Sequence, residues 1–285
     1  MILLEGGNEF KSSEGVSVTK QNATTEEAQS VVKLMQKELG INLMPYIAGS
    51  IIYPDAETGD ADVILDPTNY VKVNTEKQPK EIMNDFRVWL AQRLQKAGYQ
   101  ELPKKATVDK YNKYYKIAGD GLTTMAPIPG TNEWFQLDLD ISEPGEGAFS
   151  VWSKRGEPNV AGTPKDSRAK GAYRHILKSA IASSIDPNWM WSYKAGLADR
   201  TTKQTLSKDP TKIAQLLFGP SGKASDLDNI QSILQKFKLT HPDKYNDVVG
   251  NVNAGLEKYK TQYKLQESYR VGTNEWFRNV LDRLK

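Results

Sequence analysis

The sequence predicts an α+β protein: a small mixed β-sheet with flanking helices, followed by a C-terminal α-helical domain. Three observations carry this expectation. Short runs such as Phe135 to Ile141, "FQLDLDI", alternate apolar and polar residues with period two, the pattern of a half-buried strand. Longer runs before and between them repeat apolar residues at helical spacing. From Asp209 onward the pattern is helical, with short connections, which suggests a separate lobe. The expected boundary lies near Lys203 to Pro210, giving domains of 1–205 and 206–285.

Taken in order, residues 1–23 open with "EGGNEF" and read as an extended arm or a loop lying on the first domain. Thr24 to Leu39 reads as a helix. Thr24 and Glu27 have capping-box spacing, Val31, Leu34, Met35 and Leu39 recur at helical spacing, and Gly40 supplies the stop. "PYIAGSII", Pro45 to Ile52, reads as a strand running into a turn at Gly49-Ser50. After a loop marked by Pro54 and Gly59, with Asp55 and Glu57 solvated, Asp60 to Asp66 reads as a second strand. Lys80 to Ala97 is an amphipathic helix that places Ile82, Phe86, Trp89, Leu90 and Leu94 on one side. "YNKYYKIAG" and "LTTMAPI" read as two strands joined at Gly119-Asp120-Gly121. Lysines 104, 105, 110, 113 and 116 interleave there with Tyr111, Tyr114 and Tyr115. Such a cluster serves either as a single-stranded nucleic-acid platform or as a lysine-guarded edge strand.

Beyond Ile141 comes a Gly-, Pro- and charge-rich loop, then a helix from Ser167 to Ala182. Lys170 and Arg174, four apart, share a face of it. They read either as triphosphate contacts or as a solvated face. His175 reads as a packed or capping residue, His241, before Pro242 at a helix start, as a structural one, and "NWMWSYKAGL" as a short aromatic strand or turn. Further helices are expected over Thr211 to Phe218, Ser225 to Phe237, Pro242 to about Gln266, and Thr273 to Leu284. "GTNEWF" occurs at Gly130 and again at Gly272. One copy leads into a strand and the other into a helix, so the echo is not a structural repeat.

The chemistry-bearing residues are acids inside strands. Asp60 and Asp62 project to one face because strand side chains alternate, and Asp138 and Asp140 do the same in their own strand. Carboxylates crowded on one face repel unless a cation lies between them. Hard oxygen donors suit Mg²⁺, with Mn²⁺ as the alternative.

Gly-Ser, nine residues, Asp-x-Asp within an apolar strand, and a later hydrophobic-Asp-hydrophobic strand together resemble the nucleotidyltransferase superfamily of DNA polymerase β type. "LLEGGNEF", "KGAYRHIL" and "IAQLLFGPSGKASDLD" are similar to nucleotidyltransferase-like proteins of bacteriophages. The resemblance implies the nucleotidyltransferase fold, and metal-dependent transfer of a nucleoside monophosphate from a nucleoside triphosphate to an acceptor hydroxyl. It implies that Gly49 and Ser50 hold the triphosphate and that Asp60 and Asp62 bind metal. Asp138 is the implied third ligand, with Asp140 competing for that role. The acceptor, an RNA end, a protein of host or phage, or a small molecule, stays open. The alternative is a phage structural or binding protein that keeps the fold without turnover.

Composition limits the field. The 285 residues suffice for a sizeable core. Cys 0 excludes disulfides and thiolate chemistry, and a net charge of +3 does not by itself call for a nucleic-acid partner. No membrane span or secretory signal is read, so a cytoplasmic location is expected, in the host cell if the chain is phage-encoded, with virion association as the variant.

Overall fold

The computed structural model describes residues 9–54, 57–108, 110–155 and 167–263. The chain divides into two compact units, 1–156 and 157–285.

In the first unit the elements are β1 (Ala23–Thr24), α1 (Thr25–Leu39), β2 (Ile47–Ala48), β3 (Glu57–Thr58), β4 (Asp60–Leu65), α2 (Pro79–Lys96), β5 (Gln100–Glu101), β6 (Tyr114–Ala118), β7 (Gly121–Pro127), β8 (Trp134–Ile141) and α3 (Gly147–Ser153). Among the described residues, six strands form one mixed sheet in the order β2-β4-β8-β7-β6-β5. The central pair, β4 and β8, is parallel, while β7 pairs antiparallel with both β8 and β6.

Strand parity explains how this sheet is used. Ala61, Val63 and Leu65 of β4, with Phe135, Leu137, Leu139 and Ile141 of β8, join a core with Val31, Val32 and Met35 of α1 and Phe86, Leu90 and Leu94 of α2. Burying each large apolar side chain contributes about 1.5–3 kcal/mol, so this face fixes the strand register. The opposite face is left with Asp60, Asp62, Gln136, Asp138 and Asp140. One end of it is covered by the N-terminal arm, whose Phe10 packs with Val108 and Met125.

α1 begins and ends where its sequence signals place it. Glu27 N–H donates to Thr24 Oγ1 at 3.3 Å, Thr24 N–H donates to Glu27 Oε2 at 2.9 Å, and Gly40 closes the helix in the left-handed region at φ 63°. Removing the Thr24 side-chain acceptor with Thr24→Ala, which leaves the bond from its backbone N–H to Glu27 in place, should cost about 1 kcal/mol, read as a lower urea midpoint at unchanged slope.

Three expectations for this unit need correction. "PYIAGSII" is not a continuous strand: single 3-10 turns at Met44–Tyr46 and Ser50–Ile52 leave only Ile47–Ala48 paired. The Lys/Tyr stretch is not one solvent-facing cluster and not the sheet edge: Lys104, Lys105, Lys110 and Tyr111 are exposed, but the remaining four residues are partly or fully buried. Lys116 and Tyr115 are buried, Lys113 forms an ion pair with Glu38 at 2.5 Å, and β5 lies outside β6. Glu57 belongs to β3 and is only partly exposed, whereas Asp55 lies outside the described residues.

The second unit holds α4 (Ser167–Ile185), β9 (Trp189–Ser192), β10 (Gly196–Asp199), β11 (Thr205–Ser207), α5 (Pro210–Phe218), α6 (Ile230–Thr240) and α7 (Tyr245–Tyr263). The division therefore falls near residue 156, not near 205, and the second unit is not wholly helical. The reason lies in pairing. Strands β9, β10 and β11 hydrogen-bond to one another as an antiparallel sheet, and Trp191 of β9 lies against Lys178 of α4, 4.4 Å from ring centroid to Nζ. The expected helix at Ser225 to Phe237 is split into a short turn at Ala224–Leu227 and α6. His241 is structural, but it closes α6 instead of opening the next helix, and its Nε2 lies 3.0 Å from the Leu217 carbonyl oxygen. His175 is packed against Tyr193, ring centroids 5.0 Å apart. The helix expected at Thr273 to Leu284 and the second "GTNEWF" lie outside the described residues. No helix among the described residues is long and apolar enough to cross a membrane.

Candidate active site

Register brings the acids together. Asp62 on β4 pairs directly with Asp138 on β8, Asp60 lies opposite Gln136, and Asp140 lies opposite Ile64. Backbones paired in this way are about 4.8 Å apart, so Asp62 and Asp138 are lateral neighbours with Asp60 one step along the same face. All four acids are partly exposed. They lie on the sheet face turned away from the apolar core and are still reached by water.

The electrostatics record this crowding. Loss of hydration pushes Asp62 up to about 6, with the Asp140 charge adding to the rise and the Lys154 ammonium opposing it. Asp138 is raised well above the usual carboxylate range, first by burial and then by Asp60, Asp62 and Asp140, while a hydrogen bond from Thr123 works the other way. In the folded protein these acids hold protons that the unfolded chain would release above about pH 4. Stability of the metal-free protein should therefore fall as pH rises from about 4 through 6. Melting of Asp62→Asn beside wild type across that range checks this. The variant's relative stability should grow with pH, and a constant difference would exclude the assignment.

Two turns frame the acids. Gly49 sits at φ 74°, ψ −154°, and a Cβ there would stand 2.9 Å from Asp62 Oδ2. Only glycine lets the chain pass so close to the carboxylate. Of the triphosphate contacts that the resemblance implies, the Gly49 N–H is already taken, since it donates to the Lys154 carbonyl at 3.0 Å. Ser50 is half-buried, not packed into the core, and begins the short turn to Ile52.

Sequence reasoning missed Lys154. It follows α3 directly, and its ammonium forms an ion pair with Asp140. Burial opposes its charge, but Asp140, Asp62 and Asp138 together hold it protonated far above the ordinary lysine range. Asp66 was also missed. It accepts from Thr68 N–H at 2.9 Å, Gly145 N–H at 3.1 Å and Gly147 N–H at 3.0 Å, and so ties the end of β4 to the start of α3. A Cβ on Gly147 would stand 2.7 Å from Asp66 Cβ. Asp66 thereby places the helix that delivers Lys154. Neither residue had a sequence signal beyond its type, since the loop between β8 and Lys154 shows no fixed spacing to the acids.

The other expected contacts belong to the second unit. Arg174 is buried there, with Nη2 donating to the Leu227 carbonyl at 3.2 Å, so it does not lie on a solvated helix face. The Lys170 side chain lies outside the described residues.

The donor set suits a hard divalent ion: carboxylates only, mutually repelling, beside a close backbone turn. Among the described residues no three His, Cys, Asp or Glu side chains form a ready-made metal cage. Mg²⁺ does not require one, because it usually takes one or two carboxylates, several waters and substrate phosphates.

No protein-family model and no curated protein matches the sequence. Among solved structures, the chain is similar to Leishmania infantum polymerase beta in a ternary P/T complex. The identity is 13%, the match covers 73% of this chain and 77% of that one, and the TM-score is 0.43.

Proposed function

We propose that this chain is a metal-dependent nucleotidyltransferase that moves a nucleoside monophosphate from a nucleoside triphosphate to an acceptor hydroxyl. The observation that carries this reading is the direct pairing of Asp62 with Asp138, beside Asp60, on the sheet face turned away from the apolar core. Asp60, Asp62 and Asp138 would share Mg²⁺ or Mn²⁺ between them, one or two carboxylates to an ion, with water and substrate phosphates as the remaining ligands. Bound divalent ions lower the pKa of an acceptor hydroxyl and neutralise charge on the transferring phosphoryl group. The acceptor hydroxyl gives up its proton to water, and its oxygen bonds to the α-phosphorus as the bond to the bridging β-phosphate oxygen breaks and pyrophosphate leaves. The bend at Gly49 gives the phosphates room next to Asp62, with Ser50 as a hydroxyl donor. Asp140, already paired with Lys154, serves that lysine, which leaves Asp138 as the third metal ligand.

The acceptor is an RNA end, a protein of host or phage, or a small molecule. The test is incubation with each labelled triphosphate, Mg²⁺ or Mn²⁺, and RNA or cell extract, reading pyrophosphate release and mass-tagged products. One observation favours binding without turnover: the Lys154 ammonium already balances part of the acid cluster. Tight metal-nucleotide binding with no pyrophosphate released under any of these conditions would establish that second reading.

A further inference from the structure

Resting on the metal-site reading above, we propose that Gln136 is a positioning residue that orients Asp138, and that the N-terminal arm fixes Gln136 through the peptide of Glu9. Gln136 is fully buried on the acid-bearing face of β8, one step from Asp138 and directly opposite Asp60. Glu9 N–H donates to its Oε1 at 3.1 Å. A peptide N–H can only donate, so the oxygen end of the Gln136 amide must face Glu9. The NH₂ end is thereby turned to Asp138, 3.1 and 3.3 Å from the two carboxylate oxygens.

The same residue is also held through its carbonyl, in the next peptide group. Lys116 Nζ donates to the Glu9 carbonyl at 2.7 Å and to the Ala106 carbonyl at 3.1 Å, and stands 5.1 Å from the Phe10 ring centroid. Lys116 is itself buried, so one backbone unit of the arm is clamped between two interior side chains. The clamp ends on a carboxylate of the candidate metal set. An ionised carboxylate has about four lone-pair sites, so contacts from one NH₂ group fix its orientation and leave capacity for a ligand. Glutamate at 136 would place a fifth negative charge in the cluster. An apolar residue would strand the part-buried Glu9 N–H and release Asp138. Glutamine satisfies both neighbours at once.

Outer-shell partners of metal-binding carboxylates typically alter metal affinity by about 10–100-fold when changed. The test is Mn²⁺ binding to the full-length, nucleotide-free protein, followed by electron paramagnetic resonance. Gln136→Met should weaken binding by about 10–100-fold, and Asp138→Asn by at least as much. Val32→Ala, in the core beneath the opposite face, should lower the melting temperature and leave Mn²⁺ affinity unchanged. Wild-type affinity in folded Gln136→Met overturns the proposal. Wild-type affinity in Asp62→Asn and Asp138→Asn as well would show that the metal-site reading itself has failed. Should Gln136→Met not fold, wild-type protein decides by NMR. The Gln136 side-chain NH₂ resonances should move on Mg²⁺ addition while those of exposed Gln204 stay in place, and unmoved Gln136 resonances overturn the proposal.

Discussion

Asp62→Asn is expected to lower nucleotidyl transfer by about 10³-fold or more while the protein stays folded, a larger loss than the roughly 10–100-fold typical of outer-shell changes. The substitution keeps size and removes a charge whose proton affinity is already raised to about 6 by lost hydration and by Asp140. In the metal-free protein at neutral pH the variant should be as stable as wild type or more so. The gain from relieved repulsion is on the order of 1 kcal/mol and is screened by salt. The decisive measurement is thermal melting of both proteins with and without Mg²⁺ plus triphosphate. A ligand that binds only the folded state raises the melting temperature by mass action, so wild type should shift upward and the variant should not. Equal upward shifts would remove Asp62 from the metal-nucleotide site, and the proposed chemistry would lose its centre.

Gly49→Ala should damage both stability and activity. Its backbone lies at φ 74°, ψ −154°, a region that is essentially glycine-only, and holding another residue there costs about 1–3 kcal/mol. The added methyl would also meet Asp62 Oδ2 at 2.9 Å. Backbone and carboxylate must then separate, and displacement of a reacting group by about 1 Å can cost about 100-fold in rate. The two effects are distinguished by measuring both. A protein that loses stability but keeps full activity would mean that the Gly49 bend serves the fold alone. Loss of activity beyond the unfolded fraction would place the turn in the site.

Much of the first unit could be read from the sequence because its signals are local. The capping box at Thr24 and Glu27 and the stop at Gly40 each depend on residues a few positions apart, and the structure places α1 between them. The alternation of "FQLDLDI" put Phe135, Leu137, Leu139 and Ile141 in the core, and all four are buried. The same parity put Asp60 with Asp62, and Asp138 with Asp140, on shared strand faces.

What parity could not supply was the pairing of one strand with another. Asp62 became the neighbour of Asp138 only when β4 and β8 paired in parallel, and that register was chosen by the apolar side chains packed beneath α1 and α2. Gln136 looked like one more polar residue on the outer face, until the arm that begins more than a hundred residues earlier in the chain covered it. Lys116 read as a solvated or nucleic-acid-binding lysine, yet its stem and ammonium are consumed in holding that arm. Lys154 reaches Asp140 because Asp66 anchors the start of α3, a contact between residues 79 and 81 positions apart. Local sequence determined the helices, the strand parity and which acids could share a face. Tertiary structure decided which of those acids meet, which cation balances them and what orients them, because such contacts join segments whose spacing along the chain has no bearing on their distance once it is folded.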